Sequence, residues 1–514
     1  MNHHSSSKLL GVVCLLILFV VSVEAAAAER IHCVTDISHT FSFYFDGRFG
    51  TNYVAPDGID VRNWGTLHKY DLADANLLIL QSSASPCRYT PEDIEAVRSF
   101  LAEGGGVVVL GDFALFREEE TYHPNTLLKP FGARFVDVAA QKPLQGEGDL
   151  EHEDIASYSP KTITLDEPDD WRILVEDARG RVVMANKAVG KGQLLVASRG
   201  LCGHNPNASD PINDQWLRPL LRRVSAGKQV DPSRRPRHQM PENLTQRDRL
   251  PVRYSDYMKP YADAIYEVYD QCFPVIEEIM GVPPSEGMLT SLILLPTGGG
   301  GFSSGANIGL AAWWGNFPEK RYGMVELITH ESVHSWVHPF PEPIWNEGIA
   351  TYVGILTGMK LGLETDAQST LDGWIAGAKR YDPNMDKLDL VHGENIPHVV
   401  RMAKPMWIFE QLRKEKPDVV TRYFQTKRKL ATRDRITQYT ADDSIVVLSI
   451  AMQRDLFPWF RSLGITVDSK QSQLATDRAF KDVGWALPTN PNRDANRENG
   501  SGSVGSAHPT FFYE

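Results

Sequence analysis

Cysteine and positive charge are both scarce in this sequence, and each shortage limits what the protein can be. Five cysteines in 514 residues are too few to staple a small disulfide-rich fold, so hydrophobic cores must stabilise the chain. Its length predicts about two to four domains. Acidic residues outnumber Lys and Arg by 65 to 53, and the formal net charge is −12. This balance excludes a nucleic-acid-binding protein, which needs a concentrated basic face.

The first 28 residues have the three parts of a secretory signal peptide: a polar stretch ending in Lys8, an apolar run over 9–23, and small residues at 25–28. The apolar run is short for a membrane span, which favours cleavage over an uncleaved signal anchor. We therefore expect a secreted, periplasmic or extracellular protein with no stable membrane span after cleavage. Four cysteines then remain, an even number that leaves one or two disulfides open. They are Cys33, Cys87, Cys202 and Cys272.

Residues 29–228 alternate short apolar runs with helical patterns, which predicts an α/β domain. Leu77–Leu80 is a buried-strand pattern. Thr90 and Pro91 then predict the start of a helix that runs to Glu103, because threonine caps a helix and proline suits its first position. Three glycines end that helix, and Val107–Leu110 follows as the next strand.

This order of strand, helix, triple glycine and strand, with the Gly-Lys-Gly-Gln turn at 190–193, resembles the class I glutamine amidotransferase-like flavodoxin fold. A working amidotransferase of that kind needs a cysteine on a glycine-flanked elbow between strand and helix. Cys87 lacks the glycines, and Cys202 comes after the last predicted strand, so a structural role is favoured for both. We predict that this domain binds or positions another molecule.

The rest of the chain is predicted to contain a linker, a second domain and a tail. Residues 229–250 are charged and rich in proline, as in an exposed connection. Residues 251–485 form the second domain, and 486–514 have the composition of a disordered tail. Within the second domain, apolar spacing predicts helices over 254–279 and 322–337, with a strand over 288–295 between them.

The helix predicted over 322–337 carries His330 and His334 four residues apart in the sequence His-Glu-Ser-Val-His. This spacing places both imidazoles on one face of the helix, where they can bind one Zn²⁺. Glu331 is rotated by one position, so it can reach a water on the metal and act as general base. Three prolines then turn the chain, and a second helix beginning near Trp345 would return Glu347 as the third ligand.

The pattern continues in the segment Asn-Glu-Gly-Ile-Ala-Thr-Tyr, which begins at Asn346. With this segment the sequence resembles the gluzincin metallopeptidases, which include thermolysin-like, aminopeptidase N-like and enhancin-like enzymes. The matching residues are His330, Glu331, His334 and Glu347. The resemblance implies a zincin-type domain with a helical C-terminal part, and the fold class predicted for the whole chain is α/β plus α+β.

The sequence departs from that family in the connection between the two helices. Only 12 residues separate His334 from Glu347, fewer than in the thermolysin and aminopeptidase patterns, so the connecting turn must be compact. Thr351 stands where thermolysin-like enzymes carry an acidic partner for a ligand histidine, which predicts that this partner comes from elsewhere. His338 is an alternative ligand, although a helix end followed by proline favours Glu347.

The predicted function is that of a secreted zinc peptidase acting on protein or glycoprotein substrates, with Glu331 as general base. The glutamate-bearing segment by which aminopeptidase N-like enzymes bind a free N-terminus is absent, so cleavage of internal peptide bonds is favoured. Residues 301–310 form either an edge strand that pairs with substrate or a simple β-hairpin. The sequence does not identify the residue that donates a hydrogen bond to the oxyanion. The downstream candidates are Tyr381, His392, His398 and Tyr423.

A different class of function remains open from the sequence alone. The protein could be a secreted binding protein whose zinc is structural or vestigial and whose first domain recognises a glycan or a protein partner. Metal content and peptide cleavage separate this alternative from the peptidase.

Overall fold

A computed structural model of the protein describes residues 30–40, 48–82, 87–111, 122–202, 211–296, 300–312, 317–337, 340–434, 436 and 438–474. The predicted signal peptide and tail lie outside these residues. The chain divides into two compact units: residues up to Asn243 with Tyr254–Met258 and Leu295–Gly299 form the first, and the remainder forms the second. The division at Asn243 falls inside the segment 229–250 that the sequence predicts as a linker.

The first unit is built on an eight-stranded sheet in the order β2-β1-β3-β4-β10-β9-β8-β6, with a separate antiparallel pair β5-β7. Strands β2, β1, β3, β4 and β10 run parallel, and β9, β8 and β6 follow as antiparallel neighbours. The strands are β1 (His32–Asp36), β2 (Ile59–Asn63), β3 (Leu77–Ser82), β4 (Gly106–Gly111), β5 (Ala133–Ala139), β6 (Gln145–Gly146), β7 (Lys161–Leu165), β8 (Arg172–Glu176), β9 (Val182–Val189) and β10 (Gly192–Ser198). The α-helices are α1 (Pro91–Ala102), α2 (His123–Leu128) and α3 (Asp214–Ser225).

Both faces of the central strands are buried. Along β3, Leu78 and Leu80 belong to one hydrophobic cluster and Leu77 and Ile79 to another, because successive side chains of a strand point to opposite faces. The predicted strands around 77–80 and 107–110 are confirmed. The predicted helix between them is also confirmed, with Thr90 closing a capping box at its start.

The second unit combines a five-stranded sheet, in the order β11-β12-β13-β15-β14, with a series of helices. The strands are β11 (Asn243–Thr245), β12 (Val252–Tyr254), β13 (Ser291–Leu295), β14 (Gly301–Ser303) and β15 (Asn307–Ala311). The α-helices are α4 (Lys259–Met280), α5 (Tyr322–Val337), α6 (Asn346–Lys360), α7 (Glu364–Lys379), α8 (His398–Glu415), α9 (Val419–Asp434), α10 (Ala441–Met452) and α11 (Phe457–Ser462).

The predicted helix over 322–337 is confirmed with both of its bounds. The helix predicted over 254–279 begins later, at Lys259, because Tyr254 ends strand β12 and Pro260 suits a first helical turn. Taken together, the chain is a mixed fold of helices and several sheets, as predicted at that level. Across the described residues, no helix combines the length and apolar character needed to cross a membrane.

Candidate metal centre

Two consecutive helices, α5 and α6, carry every residue of the predicted metal site. Helix α5 is buried on all sides from Met324 to Val333, as expected of a helix inside a domain. Helix α6 begins at Asn346, after a connection whose prolines cannot continue a helix. Residues 338 and 339, which include the alternative ligand His338, lie outside the described residues.

The structure brings His330, His334 and Glu347 together. The Nε2 atoms of the two histidines lie 3.4 Å apart, and Glu347 Oε2 lies 3.3 Å from the Nε2 of His330 and 3.7 Å from that of His334. Zinc bonds of about 2.0–2.2 Å at a tetrahedral angle place ligand atoms about 3.3–3.6 Å apart. The three atoms therefore have the spacing of one face of a zinc tetrahedron. Within the described part of the chain, they form the only such group of three or more histidine, cysteine or acidic side chains.

His330 is oriented by Thr351, one turn along α6 from Glu347. The hydroxyl oxygen of Thr351 lies 2.9 Å from His330 Nδ1, and both side chains are fully buried. This corrects the prediction that the partner of the ligand histidine comes from elsewhere. A hydroxyl accepts the Nδ1 proton as a carboxylate would, so the ring is held with Nε2 towards Glu347 although no acidic residue stands at this position.

His334 and Glu347 share a partner in Asn346. The Asn346 amide lies 3.2 Å from His334 Nδ1, and its Nδ2 donates to Glu347 Oε1 at 2.9 Å. In this orientation Nδ2 serves both side chains, and the amide oxygen accepts from the backbone N–H of Glu342. Asn346 therefore positions two of the three candidate ligands, a role that the sequence analysis did not assign.

Glu331, the predicted general base, lies on α5 between the two candidate histidine ligands. Its side chain is buried, and Oε1 has no hydrogen-bond partner. Burial raises the pKa of this carboxyl to about 8; the charge of His330 opposes the shift, and those of Glu347 and Glu326 add to it. A Cβ at Gly301, the first residue of β14, would lie 2.7 Å from Glu331 Oε1 and 2.7 Å from the Gly309 carbonyl oxygen. Only glycine lets the edge strand approach the base this closely.

The charges around the two histidines favour a cation. Burial lowers the pKa of His330, but its contact with Glu347 and the charges of Glu331, Glu347 and Glu326 outweigh burial and raise the pKa to about 9. Three acidic side chains thus lie near the pair, and their charge favours a proton on His330 in the metal-free protein. Glu326 was not predicted from the sequence, although it stands four residues before His330 on the same face of α5.

The connection between α5 and α6 is fixed by Glu342. Its backbone N–H donates to Asn346 Oδ1, and its buried carboxylate accepts hydrogen bonds from Tyr423 and Lys427 of helix α9. Tyr423 was one of the candidates for an oxyanion donor, but its hydroxyl already donates to Glu342 at 2.5 Å in a fully buried position. Another candidate, Tyr381, is 57% exposed. These placements give Tyr423 a structural role.

The four cysteines outside the predicted signal peptide are buried and carry no disulfide in the described structure. Burial raises the pKa of Cys202 to about 12, which leaves its thiol protonated at neutral pH. A nucleophilic cysteine needs the opposite shift. The structural role favoured for Cys202 is consistent with this environment, and the disulfides left open by the sequence are not formed.

Comparison with known proteins gives a partial match. Residues 52–205 match the model of a family described as a domain of unknown function (DUF4350). None of the curated proteins matches the chain.

Several solved structures resemble part of it at low similarity. Exo-beta-1,4-mannosidase Op5Man5 from Opitutaceae bacterium strain TAV5 is 13% identical, with 33% of this chain and 31% of that chain covered and a TM-score of 0.23. The cytoplasmic protein STM3548 from Salmonella typhimurium is 11% identical, with 38% and 99% covered and a TM-score of 0.27. A putative ThuA-like protein from Parabacteroides merdae ATCC 43184 is 13% identical, with 39% and 92% covered and a TM-score of 0.26. The chain thus spans about a third of the mannosidase, and scores this low support no functional argument.

Proposed function

We propose that the second unit is a zinc-dependent peptidase of the gluzincin type, which hydrolyses internal peptide bonds of protein or glycoprotein substrates. The observation that carries the proposal is the triangle of His330 Nε2, His334 Nε2 and Glu347 Oε2, because its sides of 3.3, 3.4 and 3.7 Å fit zinc ligation. Three protein ligands leave the fourth position for water or a substrate carbonyl, which distinguishes a catalytic site from a closed structural one.

Each residue of the site has a part in this reaction. A bound zinc ion would supply Lewis acidity to the scissile carbonyl and an acidified water. Glu331 takes the proton from the attacking water and passes it to the leaving amine. Thr351 and Asn346 keep the two imidazoles in the orientation for ligation.

Strand β14 supports binding of an extended peptide. It is the last strand of its sheet, and among the described residues no strand pairs with its outer edge. A peptide can add to such an edge through main-chain hydrogen bonds. Because Gly301 lies against Glu331, a peptide paired with β14 would pass the general base. The structure also contains the hairpin that the sequence left as the alternative, since β14 pairs antiparallel with β15.

The decisive experiment replaces Glu331 by Gln and measures both cleavage and zinc. We expect cleavage of a quenched-fluorescent peptide library to fall by about 10²–10⁴-fold, because the base is lost, while one zinc per chain is retained. Glu319→Gln, the same change at an exposed position, serves as the control and should leave cleavage unchanged. Undiminished cleavage by Glu331→Gln would overturn the catalytic assignment, and a wild-type protein with zinc but no cleavage would favour the binding-protein alternative.

We further propose that the first unit has the amidotransferase-like flavodoxin fold and that residues 1–28 direct secretion. The parallel strand order β2-β1-β3-β4-β10 supports the first part, since doubly wound folds use this order. N-terminal sequencing of protein from its native host tests the second part. A mature chain beginning near Glu29 supports secretion, and one that retains residues 1–28 contradicts it.

A further inference from the structure

A second group of buried polar side chains lies in the first unit, at the carboxyl end of strand β1. Asp36, Ser38 and His39 are fully buried there. His39 Nδ1 lies 2.8 Å from Asp36 Oδ2, and the Ser38 hydroxyl donates to Asp36 Oδ1 at 2.6 Å. Because a carboxylate only accepts hydrogen bonds, the Nδ1 proton of His39 points to Asp36. In the neutral tautomer with its proton on Nδ1, Nε2 carries a lone pair that can accept a hydrogen bond.

Two polar atoms of this group have no partner. One is Nε2 of His39, and the other is the hydroxyl of Tyr89, whose ring stacks on that of His39 with 3.9 Å between centroids and 14° between planes. Tyr89 is itself 3% exposed. A buried polar group without a partner destabilises a fold, so in a native protein a water or a ligand usually completes it.

The hydroxyl groups of two neighbouring tyrosines, in contrast, have hydrogen-bond partners. The hydroxyl of Tyr70 donates to Asp36 at 2.8 Å and lies within 3.1 Å of two backbone carbonyl oxygens. The hydroxyl of Tyr257 donates to Asp93 at 2.9 Å and accepts from the Leu67 N–H. These two tyrosine hydroxyls are therefore satisfied, whereas the Tyr89 hydroxyl and His39 Nε2 are not.

The position of the group in the sheet is also one where ligands bind. Strand β1 lies between β2 and β3, parallel to both, and the chain moves outward to β2 before it returns to β3 on the other side. The strand order reverses at this point, and in open α/β sheets ligands bind at the carboxyl ends of the strands beside such a reversal. Asp36 is the last residue of β1.

We propose that this group, Asp36, Ser38, His39 and Tyr89, binds a neutral, hydroxyl-bearing small molecule such as a sugar or polyol. One ligand hydroxyl donates to Nε2 of His39, and a neighbouring hydroxyl exchanges a hydrogen bond with that of Tyr89. A molecule with several hydroxyl groups can serve both unpaired atoms, of which one accepts and the other can also donate. The proposal concerns the first unit and does not depend on the peptidase activity of the second.

The surrounding charges disfavour ionic ligands. Burial, followed by the charges of Asp36 and Asp93, raises the pKa of Tyr89 well above its ordinary value, so a negative charge is costly at this position. Burial lowers the pKa of nearby His123 to about 4, so an added positive charge is costly as well. A neutral ligand avoids both penalties.

The test measures thermal stability and ligand binding of the full-length protein and two matched variants. In Tyr89→Phe the lost hydroxyl has no protein partner, so we expect the melting temperature to rise by about 3 °C. In Tyr70→Phe the lost hydroxyl is bonded, so we expect a fall. Titration calorimetry then uses D-glucose, D-mannose, maltose and glycerol as probes, with a high-mannose glycopeptide to separate a free saccharide from a protein-linked glycan.

The expected result is that at least one probe binds the wild-type protein and binds Tyr89→Phe at least tenfold more weakly. A lower melting temperature for Tyr89→Phe would show that its hydroxyl is already satisfied and would overturn the proposal. The absence of binding by every probe at 50 mM, which is roughly the concentration needed to detect the weakest specific sites, would also overturn it. If peptide cleavage is not observed but the melting and binding results are as expected, only the proposed peptidase function is contradicted.

Discussion

Two buried histidines, His330 in the second unit and His39 in the first, illustrate two ways of holding an imidazole ready for a ligand. Each is fully buried with Nδ1 held by a neighbouring oxygen, from a threonine hydroxyl at His330 and from a carboxylate at His39. The Nε2 atom of His330 faces other ligand atoms, whereas that of His39 has no partner. We expect the first arrangement to bind a cation and the second to bind a hydroxyl donor. The atoms around Nε2, more than the burial of the ring, decide the chemistry.

Removal of metal should have the largest effect on stability, and it should act at His330 but not at His39. With zinc present at about 1,000 times its dissociation constant, binding stabilises the native second unit by about 4 kcal/mol. A chelator should therefore speed amide hydrogen exchange in α5 and α6 by about 10³-fold while β1 and β3 exchange unchanged. Peptide-resolved hydrogen-exchange mass spectrometry measures both regions in one sample. Equal acceleration in both regions would show that the metal is not bound at His330.

The pH dependence of the metal-free protein should be the next largest effect. The folded-state pKa of His330, about 9, lies above its ordinary value of 6.5, and that of Glu331, about 8, lies above 4.5. The native state therefore binds more protons than the unfolded chain, and stability must fall as pH rises from about 5 to 9. The shift of His330 alone accounts for a loss on the order of 3 kcal/mol. Urea unfolding of the chelated protein at a series of pH values measures it.

Saturating zinc provides the control for that series. Zinc displaces the proton, so zinc affinity should rise with pH and oppose the loss of stability. A chelated protein that becomes more stable between pH 5 and 9 would contradict the charge arrangement around His330.

The partner of His330 can be tested within one helix. Thr351→Val removes the hydroxyl that accepts from Nδ1 and should weaken zinc binding by about 10–100-fold, since partners of ligand histidines have effects of this size. Thr357→Val makes the same change on α6 at a buried hydroxyl with no partner and should leave zinc affinity unchanged. Competition with a fluorescent chelator measures both variants. Equal affinities would show that Thr351 has no part in metal binding.

The smallest expected effect compares the two units away from their histidines. Helices α1 and α10 begin with the same capping box, Thr90 with Asp93 and Thr440 with Asp443. Replacement of either threonine by Ala should cost about 1 kcal/mol of stability through loss of the cap. Chemical denaturation gives the magnitude, and hydrogen exchange assigns it to a helix. Unequal costs would indicate that the helices depend on their caps to different degrees.

The sequence predicted those parts of the molecule that depend on local signals. Thr90 and Pro91 marked the start of α1, and the apolar pattern of 322–337 marked α5 with both ends. The spacing of His330, Glu331 and His334 then placed two candidate ligands on one face of a helix. Each of these inferences needs only the periodicity of a helix and the chemistry of its first turn.

Contacts between distant elements could not be read in the same way. The role of Thr351 depends on how α6 packs against α5. Because thermolysin-like enzymes have an acidic residue at this position, the sequence comparison overlooked the Thr351 hydroxyl as the partner of His330. The group around His39 carries no motif, since Asp36 and Tyr89 are brought together only by the register of β1 with β3 and the return of the chain to α1. Tertiary packing, which the sequence specifies only collectively, decides both.

The buried carboxylate of Glu342 has a consequence for engineering. It receives hydrogen bonds from two residues of α9 while its backbone supports Asn346 beside the ligands. A fragment that ends before Val419 would keep every candidate ligand but would leave a charged group in the interior without counter-ion, which is strongly destabilising. The candidate metal site is therefore not a transplantable two-helix module, and any minimal version or graft of it has to carry α9 as well.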